Sequence, residues 1–377
     1  MNSTPVRVAI IGTAARSDYM YGPIVTSLPE EVELVAVWGR RDEPARRLGD
    51  SLGVPWYTDL DRLTRETAPA IGIVSVAYAA NGAVGLMAVE HGLHALLETP
   101  IAHDLGEADR IITAAAERDL KVEVAEQFHR RPHEALKLRL IASGLFGRVY
   151  SSFNDFAGHG YHGVSTLRGY LGFDAVPARV TGAVRSYDLA PHWSRLSDTT
   201  GARRETQEHA IVDFADGRLG FYHWTDVGYD SALRPWRSSR FLAEKGMGIT
   251  IDTGIGAPPH DVLTLLAPGG EAPHTITVER RYERNDGGAL VALVAHTGDP
   301  TLPIVRWDNP FAPRVKGHGL QWHDDEIAVA GCLMSLVTAV RDGGEPSYGP
   351  LQARLDQEIV LAMRNLLRRA DSRLLCR

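Results

Sequence analysis

The sequence predicts a doubly wound parallel α/β sheet followed by a larger, mostly antiparallel sheet that is closed by two helices. Three observations carry this expectation. The apolar run Val6-Arg7-Val8-Ala9-Ile10-Ile11 ends in Gly12 and a polar turn. Strand-like and helix-like segments alternate from there over about the first 145 residues, the pattern of a parallel sheet with right-handed crossovers. Beyond Gly147 the pattern changes to period-two segments separated by turn residues, the signature of antiparallel strands.

The first run suits a strand buried on both faces, and the turn after it, Gly12-Thr13-Ala14-Ala15-Arg16-Ser17, is where a dinucleotide phosphate would sit. The second strand is Val32-Glu33-Leu34-Val35-Ala36-Val37-Trp38, which completes a strand-helix-strand unit. Glu43 to Leu52 reads as a helix stopped by Gly53, and Pro55-Trp56-Tyr57 as a short edge strand. Asp59 caps a helix that runs to Arg65. Ile71 to Val76 is the next strand, Ala83 to His91 a helix, His94 to Glu98 a strand stopped by Thr99-Pro100, and Leu105 to Arg118 a helix. Lys121 to Ala125 is a strand, and Pro132 to Ser143 a helix ended by Gly144. After the strand that begins at Gly147, further strands are expected at Val180–Ser186, Gln207–Phe214, Leu219–Trp224, Arg240–Glu244, Gly248–Asp252 and His274–Arg281, with Asp216-Gly217 as a hairpin turn. Two helices, Asp324 to Arg341 and Leu351 to Arg369, close the chain around Gly343-Gly344-Glu345-Pro346.

Composition narrows the function classes. The net charge of −7 and the lack of any basic block argue against a nucleic-acid partner. No run reaches the roughly 18 apolar residues of a membrane helix, and the N-terminus has no signal-peptide core. Two distant cysteines, Cys332 and Cys376, make no disulfide framework and fit a reducing cytoplasm.

Six stretches follow one another in order: the N-terminal strand and turn, Leu97-Glu98-Thr99-Pro100, Val124-Ala125-Glu126-Gln127-Phe128-His129-Arg130, the strand after Gly147, the histidine segment Gly158 to Gly172, and the Gly-Gly-Glu-Pro ending. In this order they together resemble the glucose-fructose oxidoreductase, inositol dehydrogenase and rhizopine catabolism (Gfo/Idh/MocA) family. The resemblance implies a Rossmann domain over 1–127 that binds NAD or NADP. It implies a substrate and oligomerisation domain over 128–377, with the C-terminal helices packing back on the first domain. It further implies a carbohydrate-like substrate, and a homodimer or homotetramer formed through the open sheet. Gly12, Thr13, Ala14, Arg16 and Ser17 then face the cofactor phosphates. Asn81, Glu98, Thr99, Pro100 and Gln127 flank its nicotinamide side.

Two departures matter. Where the family has Glu-Lys-Pro, this chain has Glu98-Thr99-Pro100, and a threonine cannot titrate near neutral pH. Where the family has a catalytic Asp and His, this chain has Gly158 and His162. Asp155, His159, Tyr161 and His162 lie close in sequence among Gly158, Gly160 and Gly163, so the acid-base work is expected of His162 with His159 or Tyr161 assisting. The bland alternative has His159 and Tyr161 capping a helix that starts near Val164. The pair His159 and His162 lacks a carboxylate or cysteine at a companion spacing, so no metal is expected. His192, His209, His223 and His323 are further candidates for the pocket, and Trp193, Trp224, Trp236 and Trp322 for stacking on a sugar or for the core. The second strand ends without an acid and runs into Gly39-Arg40-Arg41, so two guanidinium groups that can hold a 2′-phosphate favour NADP over NAD.

The expected function is an NAD(P)-dependent oxidoreductase that transfers hydride to or from a sugar, polyol or sugar-derived ring. Two alternatives stay open: a redox-neutral glycosidase, lyase or epimerase that retains its cofactor, and a cofactor-binding protein without catalysis.

Overall fold

The computed structural model describes residues 4–194, 199–231, 237–252, 259–266, 273–283, 288–312 and 320–374. The chain forms two compact units. The first comprises Met1–Arg130, Tyr282–Leu290 and Asn309–Gln357, and the second the remainder, with the boundary between them falling inside the last helix.

The first unit holds a six-stranded parallel sheet. Its strands are β1 (Val6–Ile11), β2 (Val32–Trp38), β3 (Trp56–Tyr57), β4 (Ile71–Val74), β5 (His94–Leu97) and β6 (Val122–Val124). The order is β3-β2-β1-β4-β5-β6, so the chain winds outward one way from β1 and the other way from β4. Val8, Ala9, Ile10 and Ile11 are fully buried, as a strand covered on both faces requires. The crossovers are α1 (Gly22–Thr26), α2 (Asp42–Leu52), α3 (Leu60–Thr67), α4 (Asn81–Glu90) and α5 (Leu105–Glu117). Gly53 ends α2 in the left-handed region, and the Asp59 carboxylate accepts from the Arg62 N–H at 3.1 Å to start α3. Ahead of α1 the chain makes a wide π turn over Ser17–Tyr21.

The second unit begins with α6 (Pro132–Ala142), β7 (Val149–Asp155) and α7 (Gly160–Leu171). A ten-stranded sheet follows, with β8 (Pro177–Ser194), β9 (Thr199–Phe214), β10 (Leu219–Thr225), β11 (Ser238–Ala243), β12 (Gly246–Ile251), β13 (His260–Leu265), β14 (His274–Tyr282), β15 (Leu290–His296) and β16 (Ile304–Asp308). The order is β16-β15-β14-β13-β12-β11-β7-β10-β9-β8. β7 and β10 are parallel neighbours at its middle, while β8–β9, β9–β10, β7–β11 and β11–β12 are antiparallel. Asp216-Gly217 turns β9 into β10, with Gly217 at φ +84°.

Three differences from the sequence reading have physical causes. β13, β15 and β16 went unread: β13 is bracketed by proline-rich segments, and the apolar run of β15 has no alternation to mark a strand. β8 and β9 are far longer than the expected segments because they pair with each other along nearly their whole length. The helix expected near Val164 starts at Gly160, because the Asn154 side chain closes the preceding turn.

Helix α7 is pinned from below. Lys137 on α6 is wholly buried and donates to the Tyr170 hydroxyl of α7, to Glu134, and to Ser239 of β11 at 3.1 Å. Burial works to raise the Glu134 carboxyl, but Lys137, His133, Ser239 and Tyr170 together hold it down at about 2. A buried charge pair of this kind is stable only when fully bonded, so the group locks α6, α7 and β11 into one arrangement. The chain ends with α8 (Asp324–Asp342), which packs on β5 and β6, and α9 (Pro350–Leu374). Among the described residues no helix is long and apolar enough to cross a membrane. Cys332 is buried in α8, and burial pushes its thiol up to about 12; Cys376 lies outside the described residues.

Candidate active site

In the first unit the winding direction reverses between β1 and β4, the point at which an open α/β sheet leaves a crevice at the carboxyl ends of its strands. Open α/β sheets bind ligands at that point. Gly12 sits there at φ +125°, and a Cβ on it would lie 2.1 Å from the Ser75 carbonyl oxygen. The glycine is thus demanded by the neighbouring strand end, whether or not a ligand approaches. Ser17, buried at the end of the turn, donates to the carbonyls of Gly12 at 3.1 Å and Ser75 at 3.3 Å. Thr13 and Ala14 are half-buried between them, and Gly39 at the tip of β2 packs on the Thr13 methyl. Arg40 and Arg41 are exposed, and Arg41 stands at the N-cap of α2.

Glu98 organises the other side of the crevice. Its carboxylate accepts from the Arg16 guanidinium, from the Tyr21 hydroxyl at 2.7 Å and from the Thr99 N–H at 3.1 Å. Burial opposes the charge on Arg16, but Glu98, Tyr21 and Asp325 outweigh it and hold the guanidinium charged. Burial, and then Glu98, push the Tyr21 phenol up. Asn81 donates to the carbonyls of Glu98 at 2.6 Å and Pro100 at 2.7 Å, across a cis Thr99-Pro100 bond. The turn after β1 is therefore tied to the end of β5 through one carboxylate. Around the crevice, Arg16 Nη2, Ser75 Oγ, Asn81 Oδ1 and Gln127 Oε1 are buried without a hydrogen-bond partner among the described residues. Buried polar atoms are nearly always paired. Four that are not, at the carboxyl ends of one parallel sheet, fit the donor and acceptor set of a polar nucleotide site.

In the second unit the segment Gly158 to Gly163 forms a compact ring cluster. Asn154 donates to the Gly158 carbonyl at 2.9 Å and accepts from its N–H at 2.8 Å, which bends the chain into α7. The Tyr222 hydroxyl accepts from the Gly160 N–H at 2.7 Å. A Cβ on Gly163 would lie 2.7 Å from the Gly158 carbonyl oxygen and from the Tyr222 ring. Gly163 thus lets the helix approach the sheet closely. His159, Tyr161 and His162 come together: the rings of His159 and His162 are 4.8 Å apart, those of Tyr161 and His162 4.5 Å, and His159 Nε2 lies 3.2 Å from the Tyr161 hydroxyl. His162 is buried in the first turn of α7. His159 occupies the N-cap position with no side-chain cap bond, so it does not cap the helix.

Asp155 does not join them. Side chains alternate along β7, so Asn154 faces α7 and Asp155 faces the open side of the sheet. There Asp155 meets His223 Nδ1 at 2.8 Å, His223 Nε2 meets Gln207 Oε1 at 3.1 Å, and His209 stacks on His223 at 4.3 Å. Burial, and then the neighbouring His223, lower the His209 imidazole. Asp155, His209 and His223 line a cavity of about 550 Å³ on the open face with Phe153, Phe221 and Arg240. His192 lies in β8, with Nδ1 3.0 Å from the Ala190 carbonyl, and His323 caps α8 in a reciprocal pair with Glu326. Trp224 and Trp322 are buried and Trp193 is exposed; Trp236 lies outside the described residues. Sequence reasoning missed Tyr21, Ser75, Asn154 and Tyr222. Of these only Asn154 had a local signal, its spacing of four from Gly158, which suits a side chain closing a turn.

The first unit is thus a dinucleotide-fold domain, joined in one chain to an open-sheet unit with a histidine cluster. Residues 6–126 match the model of the Gfo/Idh/MocA oxidoreductase family, NAD-binding Rossmann fold. That match covers the first unit's sheet and leaves the second unit outside it. An uncharacterised oxidoreductase from Schizosaccharomyces pombe is 27% identical over 124 residues, 32% of this chain and 33% of that protein. The match thus spans about a third of that relative's length. Two solved structures share the fold over both units. The 3-ketoreductase KijD10 from Actinomadura kijaniata, in complex with TDP-benzene and NADP, superposes with a TM-score of 0.61 at 16% identity, covering 96% of this chain and 98% of that one. An aldose-aldose oxidoreductase from Caulobacter crescentus, complexed with glycerol, superposes with a TM-score of 0.64 at 15% identity, covering 97% and 98%.

Proposed function

We propose that the protein is an NAD(P)-dependent oxidoreductase that transfers hydride to or from a sugar, polyol or sugar-derived ring, with NADP preferred over NAD and with His162 as the acid-base group. The observation that carries the reading is the set of unpartnered polar atoms around the carboxyl ends of β1, β4 and β6 in a domain of an NAD-binding family. The similarity to a ketoreductase and to an aldose oxidoreductase supports a carbohydrate-like substrate. The nicotinamide would accept or deliver the hydride. The chain's own part is binding and proton movement: Gly12 to Ser17 take the phosphates, Asn81 holds the end of β5 in shape, and Gln127 offers an unpartnered amide oxygen. His162 takes or returns the proton of the reacting hydroxyl. The His159–Tyr161 pair supplies a second hydrogen-bonded route for that proton. Association into a homodimer or homotetramer through the open face of the large sheet belongs to the same proposal, as does a site in the cytoplasm.

A redox-neutral cycle has one observation in its favour. Position 99 is a threonine, and Arg16, the cation tied to the neighbouring Glu98, cannot release a proton near neutral pH. Nucleotide bound to purified protein, identified by absorbance and mass, together with assays on sugar ketones, separates the readings. Consumption of added NADPH supports a dehydrogenase. A retained nucleotide without such consumption supports the redox-neutral cycle, and no binding of either nucleotide overturns both.

The cofactor choice has its own test. Arg40→Ala removes one exposed guanidinium from the tip of β2. Solvent weakens such a contact, so the ratio of NADP to NAD affinity should fall about tenfold and not further. Calorimetric titration of both nucleotides measures it; an unchanged ratio takes Arg40 out of the site.

A further inference from the structure

We propose that Tyr78 is an aromatic platform for the nicotinamide half of the dinucleotide, an inference that rests on the reading of the first unit as the cofactor domain. Tyr78 opens a three-residue 3-10 turn, Tyr78–Ala80, just past the carboxyl end of β4. Tyr78 is 38% exposed, although single exposed aromatic residues are common and exposure alone says little. What sets this ring apart is its frame. The segment before it is held by the Ser75 N–H, which donates to the Ile11 carbonyl at 2.9 Å. The residue after the turn, Asn81, grips the carbonyls of Glu98 and Pro100. The ring stands edge-on to His103, with centroids 5.2 Å apart and planes at 83°. The Gln357 side-chain amide donates to the His103 carbonyl at 3.4 Å. A fixed backbone and a fixed neighbour thus hold a large apolar face open to solvent beside the crevice.

The strand order says which half of the cofactor would meet it. The pyrophosphate belongs over the turn after β1, and the adenosine half over β2, whose tip carries Arg40. The other half then lies over β4 and β5, on the side of β1 away from β2. Tyr78 lies four residues past the end of β4, and Thr99 two residues past the end of β5. A rigid aromatic ring offers a planar ligand stacking or edge contact without ordering cost.

The test uses two probes, NADPH and 2′,5′-ADP, which is the adenosine half alone. Tyr78→Ala should weaken NADPH binding about tenfold and leave 2′,5′-ADP within twofold of the parent, with an unchanged thermal midpoint. Tyr78→Phe should retain NADPH affinity within about threefold. Tyr78→Leu keeps apolar bulk against His103 without a π face and should behave like the alanine variant if that one does not fold. Parental NADPH affinity in the alanine or leucine variant overturns the proposal, as does an equal loss for both probes, which would mean that the turn has collapsed. A loss confined to the KM of the sugar substrate overturns it too and gives the ring to the substrate. Should the parent bind neither NADPH nor NADH, the cofactor reading fails first and the platform with it.

Discussion

Replacing His162 with asparagine should lower turnover by roughly 100- to 10,000-fold and leave dinucleotide affinity within a few-fold of the parent. Asparagine keeps a hydrogen-bonding side chain of similar reach and cannot titrate. His162 is buried on the first turn of α7, and that turn is fixed from three sides: by Asn154 on Gly158, by Tyr222 on Gly160 and by the contact of Gly163 with the sheet. Such a mount holds an imidazole in one orientation, which proton transfer requires. Steady-state rates and a pH–rate profile on the true substrate measure the effect. Should His162→Asn turn over normally while His159→Asn does not, the role belongs to His159. If both are near-silent, the ring cluster is a packing feature and the proposed acid-base group is lost.

Gly12→Val should destabilise the protein by about 4 kcal/mol or more, a cost in the exceptional range for one substitution. At φ +125° a branched residue is strained, at roughly 1–3 kcal/mol. Its Cβ would also lie 2.1 Å from the Ser75 carbonyl oxygen, which is backbone and cannot rotate away. The cost falls on the unliganded fold, so lost nucleotide binding in this variant would say nothing specific about the phosphate site. Thermal unfolding is the decisive measurement. A drop of roughly 10 °C is expected, at about 2–4 °C per kcal/mol for a domain of this size. A midpoint within two degrees of the parent contradicts the geometry around Gly12. Gly12→Ala meets the same carbonyl with less bulk and should fall in between.

Much of the first unit was legible because its signals are local. Apolar runs of the right length, Gly53 after α2 and Asp59 before α3 each act within a few residues, so the alternation of strands and helices stands in the sequence itself. The second unit was less so. β15 is apolar without alternation, and the length of β8 and β9 comes from their pairing with each other. The site divides along the same line. The rings at 159, 161 and 162 and the turn from Gly12 to Ser17 are each contiguous in sequence, and the structure keeps each group together. Grouping Asp155 with His159 and His162 by nearness in sequence failed, because a strand sends successive side chains to opposite faces.

By itself the sequence determined the parallel sheet, the strand-to-glycine turn after its first strand, the absence of a lysine at position 99 and the presence of three titratable rings at 159, 161 and 162. Those follow from residue type and from spacing within one or two elements. Only the tertiary structure decided that Glu98 joins Arg16 and Tyr21, 82 and 77 residues away, and that Asp155 pairs with His223, 68 residues away. It also decided that Gly12 answers to the Ser75 carbonyl. The reason is that strand order and register set these contacts, and they join parts of the chain whose separation no local pattern encodes.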